Sequence, residues 1–162
     1  MSQATIELCE KFLYTLEWLL AVTKRYTSQV QFGLVHISFA NPRLLGDTYG
    51  AQEATHKLDQ ILINLQAAFR KTDLVARDGV DFWVLVPFTP TDEILADKVR
   101  EIIAIASQNS LEIVERDISI FSLPFCVPEL NQDYTAEEFL AYLKKNHVRL
   151  ASHKIVLPPV TA

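Results

Sequence analysis

The sequence predicts an α/β domain. Apolar residues recur at helical spacing over 6–26 and 52–69, and again after Thr89-Pro90. Between these stretches lie β-rich runs at 31–39, 82–86 and 117–123. An Asp78-Gly79 pair joins a short run to Phe82–Val86, and Asp-Gly between two such runs is a hairpin signal, because glycine accepts the positive φ of a tight reversal. At 162 residues the chain is one domain's worth, read here as an N-terminal helix (1–29) and a body (30–162) in a single compact unit.

Residues 6–26 form the first predicted helix, with Leu8, Phe12, Leu16, Leu19 and Leu20 inward. Tyr14, Trp18 and Val22 widen its apolar face beyond one stripe, which leaves room for contact with a second copy, although packing within the chain is the simpler reading. Gln31–Phe39 reads as a mostly buried strand. The helix over 52–69 turns Leu58, Ile61, Leu62, Leu65 and Phe69 inward, and Arg70 and Lys71 are expected in its last turn, where cations suit the helix dipole. After the hairpin, Thr89 is a candidate N-cap and Pro90 a first helical residue, for a helix running to about Ser107. Leu95, Val99, Ile102, Ile103 and Ala106 form its inner stripe, and Arg100 sits on a flank. Asp117–Leu123 is a strand broken by Pro124, with a loop on to Asp133. Thr135-Ala136-Glu137-Glu138 is a capping box that opens a helix to about Leu150, and Ser152–Leu157 is a short closing strand.

Composition narrows the function classes. With 49% hydrophobic and 22% charged residues the chain reads as an ordinary soluble globular protein. A formal charge of −5 argues against nonspecific nucleic-acid binding. The most apolar stretch, Phe12–Val22, is too short to span a bilayer and contains Glu17, and no secretory signal pattern opens the sequence; a cytoplasmic location is expected. Cys9 and Cys126 show no metal spacing and read as reduced thiols. His36, His56, His147 and His153 show no zinc-site spacing either, so no metal site and no cofactor are expected.

The region Arg70–Pro87 carries a more specific signal. Arg70 and Asp73 form Arg-x-x-Asp; five residues later, ending in Arg77-Asp78, come Gly79-Val80-Asp81-Phe82. This resembles the signature hairpin of the GGDEF family, the diguanylate cyclase domains, with the second glycine replaced by Val80 and one acidic residue missing. The resemblance extends over roughly 30–157 and implies a central, largely antiparallel sheet with helices on both sides. It also implies a damaged catalytic centre. Joining two GTP molecules needs divalent cations, and hard cations need carboxylate oxygens. In the family one carboxylate comes from the end of the first strand, where this chain has His36-Ile37-Ser38, and one from the hairpin, where it has Asp81 with Asp78 nearby. The family's guanine-reading Asn falls at Gly46 and its partner Asp at Thr55. The expectation is a domain without cyclase activity, in which His36 is a strand residue with a local hydrogen bond and Asp81 a solvated turn acid.

The resemblance also marks a set of residues that survives. In the family the Arg-x-x-Asp motif upstream of the hairpin is the product-inhibition site for cyclic di-GMP, with a second Arg from the following helix. Those positions correspond to Arg70, Asp73 and Arg100, with Lys71, Lys98 and Arg77 adding positive potential for a dianion. A cyclic di-GMP receptor or regulatory module is the leading expectation. The alternative is a dimerisation or docking module that contacts a second copy or another signalling domain.

Overall fold

A computed structural model describes residues 3–26, 30–39, 42–87, 96–101, 104, 115–123 and 134–158. The expected cap at Thr89-Pro90, most of the inner stripe of the helix that follows it, Cys126 and the loop from Pro124 to Asp133 lie outside these residues. The described elements are α1 (Gln3–Arg25), β1 (Phe32–Phe39), α2 (Pro42–Tyr49), α3 (Ala51–Ala68), β2 (Leu74–Asp78) and β3 (Asp81–Val86). They continue with α4, helical over 96–101, then β4 (Arg116–Leu123), α5 (Ala136–Lys145), α6 (His147–Leu150) and β5 (His153–Leu157).

The five strands form one sheet in the order β2-β3-β1-β4-β5, with every pairing antiparallel. Both faces of the sheet are covered, so its central strands are apolar nearly throughout, as in Phe32–Phe39. On one face Val35, Ile37, Phe82 and Val84 meet Leu58, Ile61 and Leu65 of α3 and Val99 of α4. On the other, Leu34, Trp83 and Phe121 meet Phe12 and Leu16 of α1 and Phe139 and Leu143 of α5.

Local chemistry explains the boundaries. Thr135 caps α5 through the expected capping box: its hydroxyl accepts from the Glu138 amide and the Glu138 carboxylate accepts from the Thr135 amide. Glu17 of α1 adds a carboxylate to the same helix start, accepting from the Ala136 N–H at 3.0 Å. The charged residue inside the most apolar stretch of the sequence therefore joins α1 to α5 at a point where the helix dipole favours an anion. Helix α3 ends at Ala68 with Phe69 as its cap, so Arg70 and Lys71 lie beyond the helix and not in its last turn. The short α2 was not expected from the sequence; its first residue is Pro42, the position where a helix tolerates proline best. The last helix breaks at Asn146 into α5 and α6. No described helix is long and apolar enough to cross a membrane.

Candidate functional site

The hairpin loop is the two residues Gly79 and Val80, bounded by the register pair Asp78 and Asp81. Gly79 has φ 62°, the left-handed backbone that its lack of a Cβ permits. Register then decides which side chains meet. His36 on β1 lies opposite Trp83 on β3 and Ser119 on β4, and its ring stacks on the Trp83 indole at 4.3 Å. Asp81 stands two residues before Trp83 and so on the same face of the sheet.

There Asp81 is closed on both sides. Its Oδ1 lies 2.9 Å from His36 Nε2, and its Oδ2 accepts from the Lys144 ammonium of α5 at 2.6 Å. The His36 side chain is 8% exposed and that of Asp81 17%, so neither is a solvent-facing turn residue. Burial pushes the Asp81 carboxyl up, but the hydrogen bonds and positive charge from His36 and Lys144 outweigh it and hold the group below the ordinary carboxylate value. The expectation of a solvated Asp81 is corrected: the strand pairing carries it under α5. His36 is a strand residue as expected, but its hydrogen bond is not the local one expected: the partner lies 45 residues away, on the hairpin. A cavity of about 460 Å³ opens beside this centre, lined by Asp81, Trp83 and Lys144 together with Leu13 of α1 and Leu140 of α5.

Arg77 is corrected as well. It is 3% exposed, donates from Nε to the Gly79 carbonyl at 2.8 Å and from Nη1 to Asp59 of α3, and so anchors the hairpin instead of adding positive potential for a dianion. Asp78 is exposed.

Arg70 and Asp73 begin and end a single turn. The Asp73 amide donates to the Arg70 carbonyl at 2.9 Å, and Asp73 Oδ2 accepts from the Arg70 amide at 3.1 Å. Both residues line a cavity of about 180 Å³ with Lys11 of α1, Gln66 of α3 and Lys71. Arg100 is exposed on α4 and is not among the residues lining that cavity. The structure thus brings two of the three expected site residues together and adds Lys11, which the sequence pattern does not single out. Lys98 is exposed on α4.

Residues 11–149 match the family of the diguanylate cyclase GGDEF domain. The chain belongs to the GGDEF family. Comparison with curated proteins gives no match. Solved GGDEF structures share the fold. The GGDEF domain of DgcB from Caulobacter crescentus, in complex with c-di-GMP, superimposes with a TM-score of 0.63 at 13% identity, over 86% of this chain and 81% of that one. The active GGEEF domain of a diguanylate cyclase from Vibrio cholerae gives 0.60 at 16% identity, over 85% and 90%. The GGDEF domain of TpbB (YfiN) from Pseudomonas aeruginosa gives 0.57 at 20% identity, over 82% and 76%.

The residues at this GGDEF hairpin do not suit a divalent cation. Such an ion needs several oxygen ligands around it. Asp81 has both oxygens engaged, the end of β1 supplies His36 and Ser38, and the Lys144 ammonium already stands beside the carboxylate. Asp78 pairs in register with Asp81 and lines the same cavity but is exposed, and Asp117 pairs in register with Ser38, two residues beyond His36 on β1. Among the described residues no group of three His, Cys, Asp or Glu side chains could hold a metal ion. Gly46 is exposed on α2 and Thr55 is half-buried on α3, so the two positions expected to read guanine carry no amide and no carboxylate.

Proposed function

We propose that this chain is a GGDEF domain without cyclase activity that acts as a cyclic di-GMP receptor through the Arg70–Asp73 turn. The observation that carries the receptor reading is the shared cavity: one carboxylate and three cations, Lys11, Arg70 and Lys71, face the same space. An Arg guanidinium presents a planar fork that suits guanine O6 and N7 or a phosphate, and it can stack on a purine. A carboxylate accepts from the donor edge of guanine, N1–H and the 2-amino group. The turn engages one Asp73 oxygen and holds the side chain beside Arg70. The excess of cations suits a dianion. The c-di-GMP complex of the DgcB domain supports the choice of ligand. The absence of turnover is supported by the closed His36–Asp81–Lys144 centre, in which both Asp81 oxygens are already engaged and β1 supplies no carboxylate.

Calorimetric titration with cyclic di-GMP, with GTP as control, tests the receptor reading. Wild type is expected to bind saturably, and Arg70→Ala to lose about 1.5–3 kcal/mol, roughly ten- to a hundredfold in affinity. Arg70→Lys also weakens binding, since an ammonium cannot supply the fork. Absence of saturable binding by wild type at high micromolar ligand overturns the reading. It would leave the docking-module alternative, which the exposure of Tyr14 (78%) and Trp18 (60%) on α1 favours.

A further inference from the structure

We propose that Lys144 is the built-in cation of the hairpin centre, its ammonium serving in place of a divalent ion, so that this domain assembles its β1–hairpin–α5 junction without metal. The inference goes beyond the receptor reading and stands or falls separately from cyclic di-GMP binding.

Three independent elements converge on one carboxylate. β1 supplies His36, the hairpin supplies Asp81 and α5 supplies Lys144, at 2.9 Å and 2.6 Å. A half-buried carboxylate in this position gains from compensation, because desolvating an unpaired charge is costly. The same compensation could come from a metal ion if other oxygen ligands were present. Here the strand residue opposite Trp83 is an imidazole instead of a carboxylate, so β1 brings no negative charge to Asp81. Both Asp81 oxygens are engaged, one by His36 and one by the Lys144 ammonium. A divalent ion at Asp81 would meet an adjacent positive charge, and the Coulomb term at this separation disfavours it.

The position of Lys144 is fixed by its helix. The Thr135 capping box and the Glu17 carboxylate set the start of α5, while Phe139 and Leu143 bury its inner stripe. Lys144 follows the buried Leu143 directly, so its backbone is held by the inner stripe of α5 while its side chain stays 45% exposed. The long stem lets the ammonium reach Asp81 from the rim of the cavity. His36 is held from its other side by stacking on Trp83.

The test is Mn²⁺ binding followed by electron paramagnetic resonance, with circular dichroism to check folding. Wild type is expected to show no Mn²⁺ binding that depends on Asp81, and its melting temperature to be unchanged by Mg²⁺ or chelator. The double variant Lys144→Met/His36→Asp removes the ammonium and restores a second carboxylate. It is expected to bind Mn²⁺ roughly tenfold or more tighter than wild type, and to lose that gain when Asp81→Asn is added. Mn²⁺ bound by wild type and released by Asp81→Asn would overturn the proposal, as would a folded double variant with no gain. If the double variant does not fold, Lys144→Met alone decides. It is expected to melt at a lower temperature than wild type, with a loss that neither Mg²⁺ nor Mn²⁺ restores, and an unchanged melting temperature or full recovery by either ion would overturn the proposal.

Discussion

Asp81 shows how much a residue's neighbours decide. Its carboxyl is held below its ordinary value of 3.8 although burial alone would raise it, because His36 and Lys144 favour the charged form. A depressed folded value means that the unfolded chain takes up the proton first. The stabilisation from this group is therefore complete above the ordinary carboxylate range and is lost as the pH falls through the folded value, below 3.8. Thermal melts between neutral pH and pH 3 should show a steeper acid loss in wild type than in Asp81→Asn; equal slopes would mean that the pair contributes nothing. His147 acts in the same direction at higher pH. Partial burial and the Lys154 ammonium, which donates to its Nδ1, lower its value, so its share of stability is lost as the pH falls below 6.5. At this scale the sequence is half legible. His36 is readable as a strand residue, but its hydrogen bond reaches the hairpin and is not local. The burial of Asp81 and Arg77 is not, because their partners, Lys144 and Asp59, come from distant helices. The available signal is that an acid or an arginine placed inside the register of a buried hairpin requires a partner.

The hairpin is the element that positions both candidate centres. Its upstream turn holds Arg70 and Asp73, its incoming strand is tied to α3 through Arg77, and its outgoing strand places Asp81 beneath α5. Gly79 makes the reversal possible at φ 62°. A Cβ there would meet no atom within 4 Å, so the cost of replacement is conformational and not steric crowding by neighbours. Gly79→Ala is expected to lower stability by about 1–2 kcal/mol in denaturant unfolding, with the fold retained; an unchanged midpoint would contradict the turn geometry. Helical periodicity makes α1 and α3 legible, since Phe12, Leu16, Leu58 and Leu62 are buried as their spacing predicts, and the Thr135 capping box makes α5 legible. Periodicity does not reveal α2, whose eight residues include Pro42, Gly46 and Asp47 and are too few to repeat an apolar stripe over several turns. The end of α3 is misplaced by the sequence because the dipole preference of Arg70 is weaker than the tendency of the chain to turn at Phe69 and begin the Arg70–Asp73 reversal.

Over the whole molecule, a five-stranded antiparallel sheet separates two cores, and the two candidate centres lie at different places around β2 and β3. The cavity beside Arg70 lies between α1 and the α3–β2 turn, and the cavity beside Asp81 lies between α1 and α5. Helix α1 lines both, through Lys11 at the first and Leu13 at the second, and keeps Tyr14 and Trp18 exposed. If that exposed face pairs with a second copy, light scattering of wild type will report a dimer and Trp18→Glu a monomer with an unchanged fold; a monomeric wild type excludes the pairing. The largest claim concerns chemistry. A GGDEF domain whose strand residue is His36 and whose hairpin acid is bonded to Lys144 should not turn over substrate. The direct measurement is incubation of the protein with GTP and Mg²⁺ or Mn²⁺, followed by chromatographic analysis for cyclic dinucleotide. No product is expected at any protein concentration that keeps the chain folded, whereas product formation that Asp81→Ala abolishes would contradict the account.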